Sequence, residues 1–198
     1  MMHPDTELRF INDELGYGVV ATKFIPMGTI TWVQDELDQV LEPSQVERMR
    51  PEVQKLVDKY SFRNNRGDLV LCWDLAKYVN HSFNSNCLST AYDFELAVRD
   101  IQPGEELTDD YGYLNVSEPF VPRDEGTARK TVFPDDLLHY HREWDEQLAK
   151  AFNSFEKIAQ PLKQLVAQQH LQRLEELLQK QMPVDSILSL YYRENLQD

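Results

Sequence analysis

The chain has 198 residues, enough for one domain of ordinary size with an appendage and for a core that needs no staples. Its 34 acidic residues against 20 basic ones leave a formal charge of −14, with no basic patch to displace counterions, so direct nucleic-acid binding is disfavoured. Two cysteines, Cys72 and Cys87, are too few for a disulfide framework or a four-cysteine zinc site. No stretch approaches a membrane span and the first residues lack the order of a signal peptide, so an intracellular, soluble protein is expected.

The charge is uneven: up to Gly112 there are 10 basic and 20 acidic residues, and beyond it 10 and 14. Acidity gives solubility, and it also attracts a cationic substrate such as a lysine-rich protein segment.

In chain order, residues 8–11 and 17–21 read as short strands around the turn-rich stretch 12–16. Gly16 and Gly18 flank Tyr17, a spacing that suits a tight turn or a close approach of backbone to a ligand. Pro26 to Gly28 turns the chain into a β-branched and aromatic strand over 29–33. Val46, Met49, Val53, Leu56, Val57 and Tyr60 recur at helical spacing and predict a helix over 43–59, opened by Pro43. Residues 60–62 and 69–73 pair as a hairpin around Asn64-Asn65-Arg66-Gly67. A polar Asn80-His81-Ser82 follows apolar Tyr78 and Val79. Strand material over 88–101 then leads to the Pro103-Gly104 turn and an acidic run ending at Tyr111.

After Tyr113 the composition shifts. Residues 114–134, with Pro119, Pro122 and Pro134, read as a linker or covering loop. From Asp135 a seam of Leu137, His141, Trp144, Leu148, Ala151, Phe155, Ile158, Leu162 and Leu165 steps by four and three, like a bundle helix. Pro161 should kink that helix or start a second. Residues 171–182 form a further helix and 184–192 a last short one. The seam either packs on the preceding domain or serves a homodimer.

Three segments together resemble the SET-domain lysine methyltransferases. The first is Gly16-Tyr17-Gly18 with its Ile25-Pro26-Met27-Gly28 turn. The second is Lys77-Tyr78-Val79-Asn80-His81-Ser82-Phe83-Asn84-Ser85-Asn86-Cys87, and the third Gly104-Glu105-Glu106-Leu107-Thr108-Asp109-Asp110-Tyr111. Three such motifs in order and spacing carry far more weight than one. The resemblance implies an α+β protein: a β-rich SET fold of several small curved sheets with a knot-like core over 6–113, holding a helical insert at 43–60. A linker or channel-covering loop at 114–134 and an α-helical C-terminal extension at 135–194 follow.

It also implies a cofactor, S-adenosyl-L-methionine, held by Gly16, Tyr17, Gly18, Tyr78, Asn80, His81 and Tyr111. Tyr111 takes the catalytic place, its ring walling a lysine channel and its hydroxyl orienting the amine or methyl group. Asp109 and Tyr113 fall on the substrate side, and the partner implied is a basic, lysine-bearing protein. Three departures stand out. Asp109 occupies a place usually held by Phe or Tyr and tied to the number of methyls added. The cysteine-rich zinc segment that follows many SET domains is absent, so Tyr113, Phe120, Phe133 or the helices must close the channel. Lys77 and Ser85 replace the usual Arg and Pro. The alternative reading is a catalytically weak SET-fold scaffold that recruits a partner through its helices.

A hydrolase reading of His81-Ser82 fails, because adjacent side chains rarely make a nucleophile–base contact and no Gly-x-Ser-x-Gly elbow is present. The five histidines do not cluster, and no metal site is expected.

Overall fold

A computed structural model describes residues 1–193; residue 194, the last of the expected extension, lies outside them. Strands β1 (Thr6–Asn12) and β2 (Gly16–Ala21) form an antiparallel hairpin with Thr6 opposite Ala21. Strand β3 (Ile30–Val33) follows the Pro26–Gly28 turn. Gly28 has φ +92°, and a Cβ there would stand 2.6 Å from the Ala151 carbonyl oxygen. That turn takes glycine for two reasons: its backbone angle and its approach to a helix.

The insert departs from the expected single helix. Strand β4 (Gln39–Leu41) precedes α1 (Pro43–Glu47), and α2 (Pro51–Tyr60) begins afresh. Pro51 has no N–H to extend the first helix, yet its fixed φ suits the first position of the second. Of the spaced apolar residues only Val57 is buried. Strands β5 (Ser61–Arg63) and β6 (Leu69–Leu71) form the expected hairpin, and β4 joins it in a small sheet ordered β4-β6-β5.

The main sheet is completed by β7 (Asn80–His81), β8 (Cys87–Ser89), β9 (Phe94–Ala97) and β10 (Glu106–Asp109). Its order is β1-β2-β10-β8-β9-β3, with β7 also paired to β10. Strand β10 is antiparallel to β2 and parallel to β7 and β8. Thr108 lies opposite Asn80 and Asp109 opposite His81, so pairing brings the second and third sequence motifs side by side. Asn86 welds them: its amide donates to the Glu106 carbonyl at 2.8 Å and accepts from the Thr108 N–H at 2.8 Å. The mixture of curled sheets and C-terminal helices is the α+β arrangement that the motifs lead one to expect.

All four residues of β9 are buried, because both its faces are covered. Phe94 and Leu96 belong to a core shared with helix α3 (Asp136–Phe155), through Trp144, Leu148, Phe152 and Phe155. Ala97 belongs to a second core with Val19, Trp32, Cys87 and Leu107. Full burial of each such large side chain contributes about 1.5–3 kcal/mol. The helical seam is therefore occupied within the chain. The helix also stops at Phe155. Pro161 follows in the break, so Ile158, Leu162 and Leu165 lie beyond it, and α4 (Gln168–Gln179) is separate. The last expected helix is a single 3-10 turn, Ile187–Leu190.

Candidate active site

Strand β10 divides two cavities. Along a strand alternate side chains point to opposite faces, and here Glu106 and Thr108 line a large cavity of about 1030 Å³ while Asp109 lines a smaller one of about 380 Å³. The chain at β7 is also shared between them: Val79, just before the strand, lines the smaller cavity, and Asn80 and His81 line the larger.

In the large cavity the Asn80 amide donates to the Tyr17 carbonyl at 3.1 Å and to Glu106 Oε1 at 2.7 Å. Gly18 is required by that arrangement, since a Cβ there would lie 2.2 Å from Glu106 Oε1 and 2.9 Å from Asn80 Nδ2. His81 Nδ1 accepts the Tyr111 N–H at 3.1 Å. Burial, with the Arg129 charge, holds the imidazole down to about 4. The ring is therefore neutral at pH 7, and because Nδ1 accepts, Nε2 carries the proton. That buried Nε2 has no partner, so it is a donor awaiting an acceptor.

The rest of the large cavity comes from further along the chain. Phe83, Phe133, Tyr140 and Arg129 line it. The Arg129 guanidinium bridges Asp110 and Asp136 and lies over the rings of Phe83 and Tyr140, at 4.6 and 4.2 Å from their centroids. Glu125 accepts from the Ser82 hydroxyl at 3.0 Å and the Phe83 N–H at 2.9 Å, pinning the 114–134 segment onto the Asn-His-Ser loop.

The smaller cavity is lined by Trp32, Phe62, Phe120, Tyr111, Asp109 and Glu95, among others. The Tyr111 hydroxyl donates to the Val79 carbonyl at 2.6 Å, which fixes the ring. Burial keeps that phenol protonated, its pKa raised further by Asp109, Glu106 and Glu95. Burial likewise pushes Asp109 up to about 7; Tyr113 and Glu95 moderate this and Asp110 adds to it.

Of the residues singled out in the sequence, Asn80 and His81 meet on the large cavity and Tyr111 and Asp109 on the smaller. Gly16, Tyr17 and Gly18 stand behind the wall, where Leu15 is the lining residue of their loop and Tyr17 is 54% exposed. Tyr78 stacks edge-on against Tyr60. Tyr113 is 1% exposed and packs edge-on against Trp144, lining neither cavity. Sequence reading missed Glu95, Glu125, Arg129 and Tyr140. Only tertiary pairing marks them, as their partners lie far away along the chain or outside any motif.

Residues 16–112, about half of the chain, match the SET domain family. The chain is also 28% identical over 117 residues to the histone-lysine N-methyltransferase Set2 of Drosophila melanogaster, a stretch covering 53% of this chain and 5% of that protein. With the fold described above, the chain belongs to the SET-domain methyltransferase family, on the strength of residues 16–112. No helix among the described residues is long and apolar enough to cross a membrane.

Proposed function

We propose that this chain is an S-adenosyl-L-methionine-dependent methyltransferase acting on lysine side chains of a basic protein. The supporting observation is the partition by β10: a cofactor-sized cavity on one face and a narrower, tyrosine-walled one on the other. The residues fit the cofactor. The unpartnered His81 Nε2–H suits one of its acceptors, and the aromatic and guanidinium surfaces of Phe83, Phe133, Tyr140 and Arg129 suit a planar base. When bound, the cofactor supplies an electrophilic methyl group on a sulfonium.

Asn80 and His81 hold the cofactor, with the Gly16–Gly18 backbone and Tyr78 shaping the loop behind them. Tyr111 anchors its hydroxyl at the Val79 carbonyl and presents its ring and oxygen to the target amine. A lysine ammonium has a pKa near ~10.4 and must be neutral to attack, so the site needs orientation and somewhere for a proton to go. Asp109 faces the space the amine would occupy. The net negative charge of this half of the chain favours encounter with a basic substrate.

Calorimetric titration with S-adenosylmethionine on wild type, Asn80→Ala and Tyr111→Phe tests the proposal, followed by methyl transfer to lysine-rich proteins. Wild type should bind, Asn80→Ala at least about tenfold more weakly. Tyr111→Phe should keep binding while transfer falls about 10²-fold. A folded wild-type protein that does not bind the cofactor would refute it.

A further inference from the structure

Besides the exposed Asp58 and Glu118, the smaller cavity is lined by two buried carboxyl groups, those of Glu95 and Asp109. Sheet register puts them on one face: Asp109 lies opposite Cys87, Cys87 opposite Ala97, and Glu95 two residues along β9 from Ala97. Both are nearly sealed, Asp109 at 5% and Glu95 at 8% exposure. Glu95 Oε1 accepts from the Ser89 hydroxyl at 3.3 Å. Neither Asp109 Oδ1 nor the Tyr113 hydroxyl beside it closes a hydrogen bond of ordinary geometry, and Trp32 Nε1 on the same cavity has no acceptor. The donors open to that oxygen are the Tyr113 hydroxyl, a proton held between the two acids, and a group arriving through the cavity.

We propose that Glu95 and Asp109 together are the seat of the target amine, recognising a primary alkylammonium and accepting one of its protons. This deepens the methyltransferase reading and rests on it. An N–H bond of the ammonium breaks and leaves its electron pair on nitrogen, while an O–H bond forms on Asp109 Oδ1. The ammonium becomes a neutral amine and the carboxylate a neutral acid, so charge and atoms balance.

Two acids serve better than one. Burial first, and then Asp109, push Glu95 well above the usual carboxylate range, so it stays protonated, while Asp109 sits at about 7. Near neutral pH the pair carries at most one negative charge. That is enough to attract a cation and basic enough to take its proton. Transfer to a group at about 7 is roughly a thousandfold more favourable than to an ordinary Asp near ~3.9. An arginine guanidinium does not give up its proton, so the same pair selects lysine. Trp32, Phe62 and Phe120 provide apolar surface for the aliphatic stem. The titratable groups acting on the pair are Tyr111, Tyr113, Asp110, Cys72, Cys87 and the amino terminus, and the charged Asp58, Lys59, Arg63, Lys77 and Glu118 line the same cavity.

The experiment titrates the full chain, without cofactor, with Nα-acetyl-lysine amide and its norleucine counterpart. Binding is followed by NMR shifts, including the Trp32 indole N–H, in wild type, Glu95→Gln and Asp109→Asn. S-adenosylmethionine is titrated into each protein separately. The lysine amide should bind at least tenfold more tightly than the norleucine amide. Each variant should lose that margin while keeping cofactor affinity within about twofold.

Equal binding of the two amides, no binding of either to folded wild type, or an unchanged margin in Glu95→Gln would overturn the amine seat. Absent cofactor binding with the amine margin intact would instead sink the methyltransferase reading alone. Should Asp109→Asn not fold, the carboxyl carbons of wild type decide: a titration step near pH 7 or above supports the pair, and two ordinary steps below pH 5 refute it.

Discussion

Gln160 stands in for a strand beside Ile30. Its side-chain oxygen accepts the Ile30 N–H at 2.9 Å, and its amide donates to the carbonyls of Gly28 at 2.7 Å and Phe155 at 3.1 Å. One side chain thus ties the first strand of a core layer to the end of α3. Ile30 is fully buried, so Gln160→Ala strands a backbone donor away from water. The variant should lose about 1–3 kcal/mol in urea denaturation. Gln160→Glu, which keeps the acceptor but not the donor, should also destabilise.

Two glycines with similar backbone angles should respond differently to alanine. Gly28 (φ +92°) faces the Ala151 carbonyl, whereas Gly104 (φ +86°) has nothing within 4 Å. Gly104→Ala should cost about 1 kcal/mol, from backbone strain alone. Gly28→Ala should cost clearly more, because α3 must also shift; thermal melts of the two variants side by side give the comparison.

The pH dependence of stability separates Asp109 from His81. Asp109 binds its proton more tightly when folded, at about 7 against 3.8. Its contribution is therefore complete below about pH 4 and is lost as pH rises through 7. His81 has the opposite sign: held down to about 4 from 6.5, it contributes above pH 6.5 and loses this as pH falls through 4. Wild type should thus lose stability relative to Asp109→Asn between pH 5 and 8, by more than about 1 kcal/mol. Denaturation of both proteins across that range tests the sign.

Arg129 joins Asp110 and Asp136, both at most 2% exposed, and lies over the rings of Phe83 and Tyr140. Replacing it by Met leaves two buried carboxylates without their cation and should destabilise by about 3–5 kcal/mol. Arg129→Lys should recover only part of this, since one ammonium cannot fork to two acids and stack. If the large cavity holds the cofactor, Arg129→Lys should also bind S-adenosylmethionine more weakly in calorimetry.

Much of the fold was legible because its punctuation is local. Pro26–Gly28, Asn64–Gly67 and Pro103–Gly104 mark turns by their chemistry, and the strands between them follow. The break at Pro51 was equally local but was overrun by an apolar spacing that the two helices share only by accident. Asn80, His81, Asp109 and Tyr111 were found because they sit inside motifs. Glu95 and Arg129 were not. Glu95 looks like one polar residue in a strand until β8, lying between β9 and β10, brings it to the face it shares with Asp109. Arg129 lies in a stretch with no periodicity, and its meaning comes from carboxylates 19 residues before it and 7 after. Tyr113 has its ring in the core against Trp144, on a helix whose docking face the sequence did not specify, while its hydroxyl lies beside Asp109.

The helix that covers β9 has a consequence for how such a protein can be inherited. Residues 16–112 carry the family likeness, yet Phe94 and Leu96 within them are sealed by Trp144, Leu148 and Phe155. A gene fragment coding for the likeness alone would yield a chain with an open apolar flank and half a cavity wall. Inherited without its helices, the first part would expose that flank to water, so the two sides of this core depend on one another.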